Sequence, residues 1–323
     1  MRRLAAAALL AAAGILAPLV APHDPDEIVD VMAARDLRPG SEIHVIARRD
    51  GTRFAARSVE VTDDALVYER GDRRETIDRR DLAPGEPERR RFLLGTDGYG
   101  RDLLSRILYG ARLSIGVTIL AVSLGLLIGV AAGAFTGYVG GALDVGLMRL
   151  VDALHAIPRI FLFLLVAALF GPSALLVGIV LGVTGWIGIA RITRSHVLSL
   201  RESGFTAAAR ALGAGRKRII LNHLLPNCAA PIAVATVLLA ADTILTESSL
   251  SFIGLGVQPP AASWGSLIAA GRDSVLSAWW VVLFPGLAIV ISVLLLHLMA
   301  KPFRAPLPFQ TGDGSKAVPR QPS

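Results

Sequence analysis

The chain has 323 residues, 53% hydrophobic and 18% charged, with a mean hydropathy of +0.56. That balance excludes a disordered chain, a nucleic-acid-binding domain and an ordinary soluble enzyme. The net charge of +7 looks like a polyanion binder's, but 19 of the 26 acids and 17 of the 33 bases fall between Asp24 and Arg112. The rest is mostly long uncharged runs, so the chain reads as an all-α polytopic membrane protein. A single cysteine, Cys228, rules out an internal disulfide framework and a Cys-based zinc site.

A helix needs roughly 20 mostly apolar residues to cross a hydrocarbon core about 30 Å thick. The uncharged runs are Leu4–Pro22, Leu113–Leu143, Ile160–Ala190, Ile219–Ala241 and Ser274–Ala300. Gly171–Pro172–Ser173 is a turn signal inside the third. Six helices follow, at roughly 4–21, 113–136, 147–170, 174–193, 229–248 and 279–299. Lipid leaves no alternative to helices, because unpaired backbone groups do not survive in it. Residues 1–22 also have the outline of a cleavable signal peptide, but their uncharged stretch of 19 residues is long for one and favours a retained helix.

Charge sets the orientation. Arg191–Arg218 carries six Arg and Lys217 against the single acid Glu202, whereas the connection after the fifth span holds only Arg272 and Asp273. Short Arg-rich loops stay inside, so this loop is expected in the cytoplasm. Counting outward places the N-terminus (Arg2, Arg3) and the 301–323 tail, expected to be disordered, on the same side of a plasma (inner) membrane. Residues 23–92 are then external, and a segment this long translocates regardless of its arginines.

Within that segment the runs IHVIA, RFAARSVEV, ALVYER and RETID are separated by Asp50–Gly51, Thr62–Asp63–Asp64 and Gly71–Asp72. They predict a small antiparallel β module, with a charged spacer as the alternative. Residues 93–112 place Leu103, Leu104, Ile107, Leu108 and Ala111 at helical spacing, opposite Arg101, Asp102, Ser105, Arg106 and Arg112. This predicts an amphipathic interfacial helix leading into the second span.

Gly125, Gly129, Gly133 and Gly137 fall four apart, and Gly178 and Gly182 repeat the interval. Each set makes a flat stripe for close helix approach, which suits static packing and helix movement equally. Ionisable groups in spans are functional candidates. Asp152 and His155 lie near Arg149, where an Arg–Asp pair is expected to anchor the third span. Asp242 and Glu247 sit in the outer half of the fifth span, as pathway or structural polar groups.

Catalytic patterns are missing from the sequence. A P-loop needs G-x-x-x-x-G-K-[ST], and Lys217, Lys301 and Lys316 follow Arg216, Ala300 and Ser315. HExxH and G-x-S-x-G are absent, and six scattered histidines offer no ligand spacing. No cofactor or metal site and no catalytic residue is expected.

The segment RESGFTAAARALGAGRKRIILNHLLPN, residues 201–227, reads as helix, glycine turn, helix, with apolar residues set among arginines. Such a pair seats in a groove of a partner protein or serves as a solvated linker. It resembles the EAA loop of ABC-importer permeases. Ala207–Ala208–Ala209 take the E-A-A positions, Gly213 the glycine, and Leu225–Pro226–Asn227 the closing L-P-x, with Ala207 in place of Glu. The stretches LGTDGYGRDLLSRILYGAR (94–112) and LTESSLSFIGLGVQPPAASWG (245–265) resemble the C-type permease subunit of dipeptide, oligopeptide and nickel importers. The insert at about 30–90 and the tail do not follow that pattern.

The resemblance implies the type I ABC-importer permease fold, a five-helix core over 113–300 and a coupling loop at 195–227. It implies a homologous B-type permease, two cytoplasmic ATPases and an extracytoplasmic solute-binding protein as partners. Phe205, Ala207, Ala208, Ala209, Arg210, Leu212 and Gly213 would then couple the ATPases to the spans. The competing class is a secondary transporter driven by an ion gradient, which calls for internal repeats with broken helices at mid-membrane; no such repeat is evident.

Overall fold

The computed structural model describes residues 14, 16–62, 65–71, 73–85 and 87–300. Most of the first expected span and the whole 301–323 tail lie outside the described residues. The fold is helical, with a small β-rich module ahead of the long helices. The helices are α1 (Ala17–Val20), α2 (Val31–Ala34), α3 (Leu103–Val139), α4 (Gly141–Ala156), α5 (Arg159–Phe170), α6 (Ala174–Arg201) and α7 (Gly204–Ala211). They continue with α8 (Arg216–Arg218), a π turn (Ile219–Leu224), α9 (Leu225–Asn227), α10 (Ala229–Phe252), α11 (Trp264–Ala270) and α12 (Trp280–Ala300).

Among the described residues, α3, α6, α10 and α12 are each long and apolar enough to cross a membrane. The pair α4–α5 is apolar enough taken together but bends by 75°. This departs from the single span expected at 147–170. Pro158 has no N–H and its ring disfavours a helical residue before it, so Ile157 is extended (φ −76°, ψ 118°). The expected interfacial helix at 93–112 is also not a separate element. Asp102 caps α3 by accepting from the Ser105 N–H, and the helix then runs unbroken for 37 residues, about 55 Å, through the expected second span. The amphipathic stretch is its first turns.

α3 and α6 run parallel, with the bent pair as the return between them, and the glycines set their spacing. A Cβ on Gly133 would lie 2.4 Å from the Ala190 carbonyl, and one on Gly137 2.8 Å from that of Arg194. From the other side, a Cβ on Gly182 would meet Leu124 at 2.7 Å, and one on Gly178 Leu120 at 2.9 Å. The two stripes are one reciprocal seam, and every glycine in it is buried. α10 runs back along this pair. Its Leu239 fills the space beside Gly125 and Gly185.

Among the described residues the β module holds six strands: β1 (Ser41–Ala47), β2 (Arg53–Ala56), β3 (Ser58–Val61), β4 (Ala65–Arg70), β5 (Arg73–Asp78) and β6 (Glu88–Phe92). They form two antiparallel three-stranded sheets, β2-β1-β6 and β3-β4-β5. The run RFAARSVEV is not one strand: it breaks at Arg57 and feeds both sheets. The strand β6 was missed because ERRRF carries no apolar alternation, yet it pairs with β1 from Ser41↔Phe92 to Val45↔Glu88. Ile46, Phe54, Leu66, Tyr68 and Ile77 pack together as one core. Ile43, Val45 and Phe92 pack with α2 in another.

Asp30 joins three elements of the module. Its carboxylate accepts from the Met32 N–H at the start of α2, from the Ala55 N–H on β2 (3.2 Å) and from Arg70 Nε on β4 (2.7 Å). The bond to Asp30 holds the Arg70 guanidinium above the usual arginine range. The module is fastened to the bundle through Thr96, whose carbonyl accepts from Trp280 Nε1 of α12 at 3.2 Å.

Two substitutions test these contacts. Asp30→Ala leaves a buried N–H without an acceptor and should weaken the module by about 2–4 kcal/mol. Urea-dependent protease cleavage within residues 41–92 of the membrane-embedded chain measures it. Gly133→Val should lower the thermal midpoint of the purified protein by at least the equivalent of about 1–3 kcal/mol. Gly116→Ala, where a Cβ meets nothing within 4 Å, should leave it unchanged.

Candidate functional site

The residues 201–227 form a compact lobe at the end of the bundle opposite the β module. α6 ends at Arg201, whose Nη1 donates to the Tyr138 carbonyl (3.2 Å) and so satisfies the end of α3. Ser203 opens α7, but its hydroxyl turns back to the Leu200 carbonyl (2.6 Å), which also accepts from Thr206 Oγ1 (2.9 Å). These bonds fix the inner face of α7, on which Thr206 and Ala209 are buried. The outer face carries Phe205, Ala207, Ala208, Arg210, Ala211 and Leu212, all exposed, with Leu212 at 89%.

Gly213 ends α7 in the left-handed region (φ +78°). Its N–H donates to the Arg210 carbonyl (3.1 Å) and the Ala214 N–H to the Ala209 carbonyl (3.0 Å), the paired bonds of a Schellman turn. The chain then doubles back through α8, the π turn and α9. Ile219, Leu224 and Cys228 pack under the lobe against Val197 of α6. Pro226 offers no N–H to the carbonyls before it, which accords with the widened turn there. A cavity of about 600 Å³ separates the lobe from the end of α3 and is lined by Tyr138, Arg201, Arg210, Arg216 and Ile219 among others.

The polar residues of the spans fall into four arrangements. Asp152 pairs with Arg191 of α6 (2.6 Å) rather than with Arg149, because the α4–α5 bend lays α4 against α6. Asp242 pairs with Arg159 at the start of α5 (2.9 Å). Asp144 is buried and held by both Nε and Nη2 of Arg194. Sequence reasoning missed this last pair; an acid just after the double glycine Gly140–Gly141, with Arg194 close to the end of the next uncharged run, was the available signal.

Glu247 is fully buried on α10, accepting from Ser114 Oγ of α3 (2.9 Å) and from Ser251 Oγ (2.8 Å). It lies between α10 and α3. A further polar knot, also unanticipated, gathers at the module end. Arg106 is buried and donates to the Pro25 carbonyl, Asp26 and the Pro260 carbonyl, while Arg101 pairs with Asp97 at 2.8 Å. Among the described residues, no group of His, Cys, Asp and Glu is arranged to hold a metal ion.

Residues 125–304 match the pattern of the family described as binding-protein-dependent transport system inner membrane component. A Brucella suis biovar 1 protein named as a peptide transport system permease is 45% identical over 68% of this chain and 74% of its own length. The di/tripeptide permease DppC of Pseudomonas aeruginosa is 39% identical over 66% and 71%. The oligopeptide permease OppC of Haemophilus influenzae is 41% identical over 59% and 61%. A solved inward-facing MetNI methionine ABC transporter shares the fold, with a TM-score of 0.51 at 19% identity over 61% of this chain and 94% of the matched chain.

Glu247→Ala would leave the Ser114 and Ser251 hydroxyls without their acceptor and open a small void. The loss should be about 2–4 kcal/mol, and Glu247→Gln, which keeps one acceptor oxygen, should lose less. Thermal unfolding of the detergent-purified protein distinguishes the two, and midpoints equal to that of the wild type for both would deny Glu247 a structural role.

Proposed function

The chain belongs to the binding-protein-dependent transport system inner membrane components, and from that premise we propose that it conducts small peptides inward across the membrane. Its relatives' names support a peptide cargo. An extracytoplasmic binding protein hands the cargo to a pore built by this chain with a homologous B-type permease. Two cytoplasmic ATPases bind from the other side. The N- and C-termini and the 201–227 lobe lie in the cytoplasm, and the β module lies outside.

The single observation that carries this reading is the exposed outer face of α7, from Phe205 to Gly213. A short helix braced on one side and apolar on the other, beside basic Arg210, is shaped to sit in a groove of a soluble partner. The bond of Arg201 to the end of α3, and the packing of Ile219 against Val197, tie the lobe to the ends of α3 and α6. A push on α7 therefore reaches the glycine seam directly. ATP binding would close the ATPases and turn the pathway outward, and hydrolysis would return it inward.

Gly213→Val tests the coupling. A β-branched residue in the left-handed region costs about 1–2 kcal/mol, and nothing lies within 4 Å of its Cβ, so the turn changes while the packing does not. ATP hydrolysis by the assembled complex should continue while peptide uptake into proteoliposomes falls. Unchanged uptake would remove the coupling role. The secondary-transporter alternative does not survive, because the chain belongs to a family of binding-protein-dependent transport components.

A further inference from the structure

One of the ion pairs is in the wrong place for lipid, and a second stays open beside it. Asp242 lies roughly 20 Å along α10 from Ala229 and about 15 Å from Phe252, deep within any hydrocarbon slab that α10 can span. Yet its side chain is 51% exposed and that of its partner Arg159 38%. Asp152 and Arg191, on the other side of the Ile157–Pro158 bend, are 66% and 43% exposed. A charged group at the depth of Asp242 does not face acyl chains; it faces protein or water.

Protein alone does not satisfy them. Among the described residues Asp242 is bonded through Oδ2 and Asp152 through Oδ1, and the second oxygen of each carboxylate has no donor. Covering such incompletely bonded pairs with a dry partner surface carries a desolvation penalty that their mutual attraction does not offset. The contrast with Asp144 is direct, since that buried carboxylate has both oxygens on Arg194.

We propose that the Arg159–Asp242 and Arg191–Asp152 pairs line the water-filled translocation pathway, one on each side of the bend in the α4–α5 return. This locates on named residues the conduit assumed under the permease reading and rests on that reading. The bend serves a purpose in this arrangement, because it carries Asp152 to α6 and Arg159 to α10. Each pair is electrically neutral, so the lining offers a donor and an acceptor without a net field. That suits a cargo bearing both an ammonium and a carboxylate, as a short peptide does, rather than a bare dication.

Thiol accessibility tests the proposal. Cys228 is the sole native cysteine and is buried, so single cysteines at 152, 159, 191 and 242 report in an otherwise quiet background. The assembled importer in membrane fragments, open to both sides, is treated with a charged, lipid-insoluble methanethiosulfonate and read on this chain's own band. Leu294→Cys on the exposed face of α12 serves as the lipid-depth control. All four positions should react at least tenfold faster than that control, and saturating dialanine should slow them.

Rates equal to the control's, or reaction only with lipid-soluble maleimide, would overturn it. If cysteine variants fail to assemble, the charge exchange Arg159→Asp with Asp242→Arg decides. Single changes should impair uptake and the double change restore it; unimpaired singles would count against the pathway. The permease reading fails separately, if the wild-type chain purifies without ATPase subunits.

Discussion

Close backbone contact between α3 and α6 is the constraint on which the rest depends. In lipid there is no hydrophobic gain from bringing two apolar helices together, so association rests on van der Waals contact and on polar bonds. The glycines of both helices supply the first. Gly133 and Gly137 admit the carbonyls of Ala190 and Arg194, and Gly182 admits the Leu124 side chain. Because α3 and α6 run parallel, the intervening α4–α5 must return across the same thickness, and it does so bent.

Polar bonds supply the second contribution and are placed where glycine contact ends. Glu247 with Ser114 joins α10 to α3 toward the module end, and Asp144 with Arg194 joins α4 to α6 toward the other. Arg106 draws in segments that are remote in sequence, from Pro25 to Pro260. The seam between these anchors has smooth, small-residue surfaces. A bundle clamped at its ends and flat between them suits static packing and helix movement alike.

Much of this was legible in the residues. The expected spans located α10 and α12 to within four residues at each end and the start of α6, since only helices of about that size close their hydrogen bonds in lipid. But α6 continues eight residues past the expected end at 193, to Arg201. The turn at Gly171–Pro172–Ser173 and the glycine stop at Gly213 were readable because proline and left-handed glycine act locally. Boundaries governed by continuity were not readable. Leu103–Val139 looked like two elements because its hydrophobicity changes at Arg112, but a helix ends when its hydrogen bonding is interrupted, not when its surroundings change. Pro158 stands between the charged start of the expected third span and the apolar run at Ile160, so a single helix over 147–170 hides the bend, and the charged strand β6 has no pattern of its own because β1 supplies its register.

The sequence by itself determined the membrane class, the helical crossings it could see as apolar runs, the absence of a nucleotide-binding loop and the family to which the 201–227 segment points. Those follow from composition and short-range chemistry, which each residue carries wherever it is placed. Only the tertiary structure decided that the two glycine stripes face each other, that Asp152 meets Arg191 and Asp242 meets Arg159, and that Glu247 is enclosed while those pairs stay open. Partners so far apart along the chain are chosen by how the helices pack, and the same acid is enclosed or left open according to which neighbour that packing brings to it.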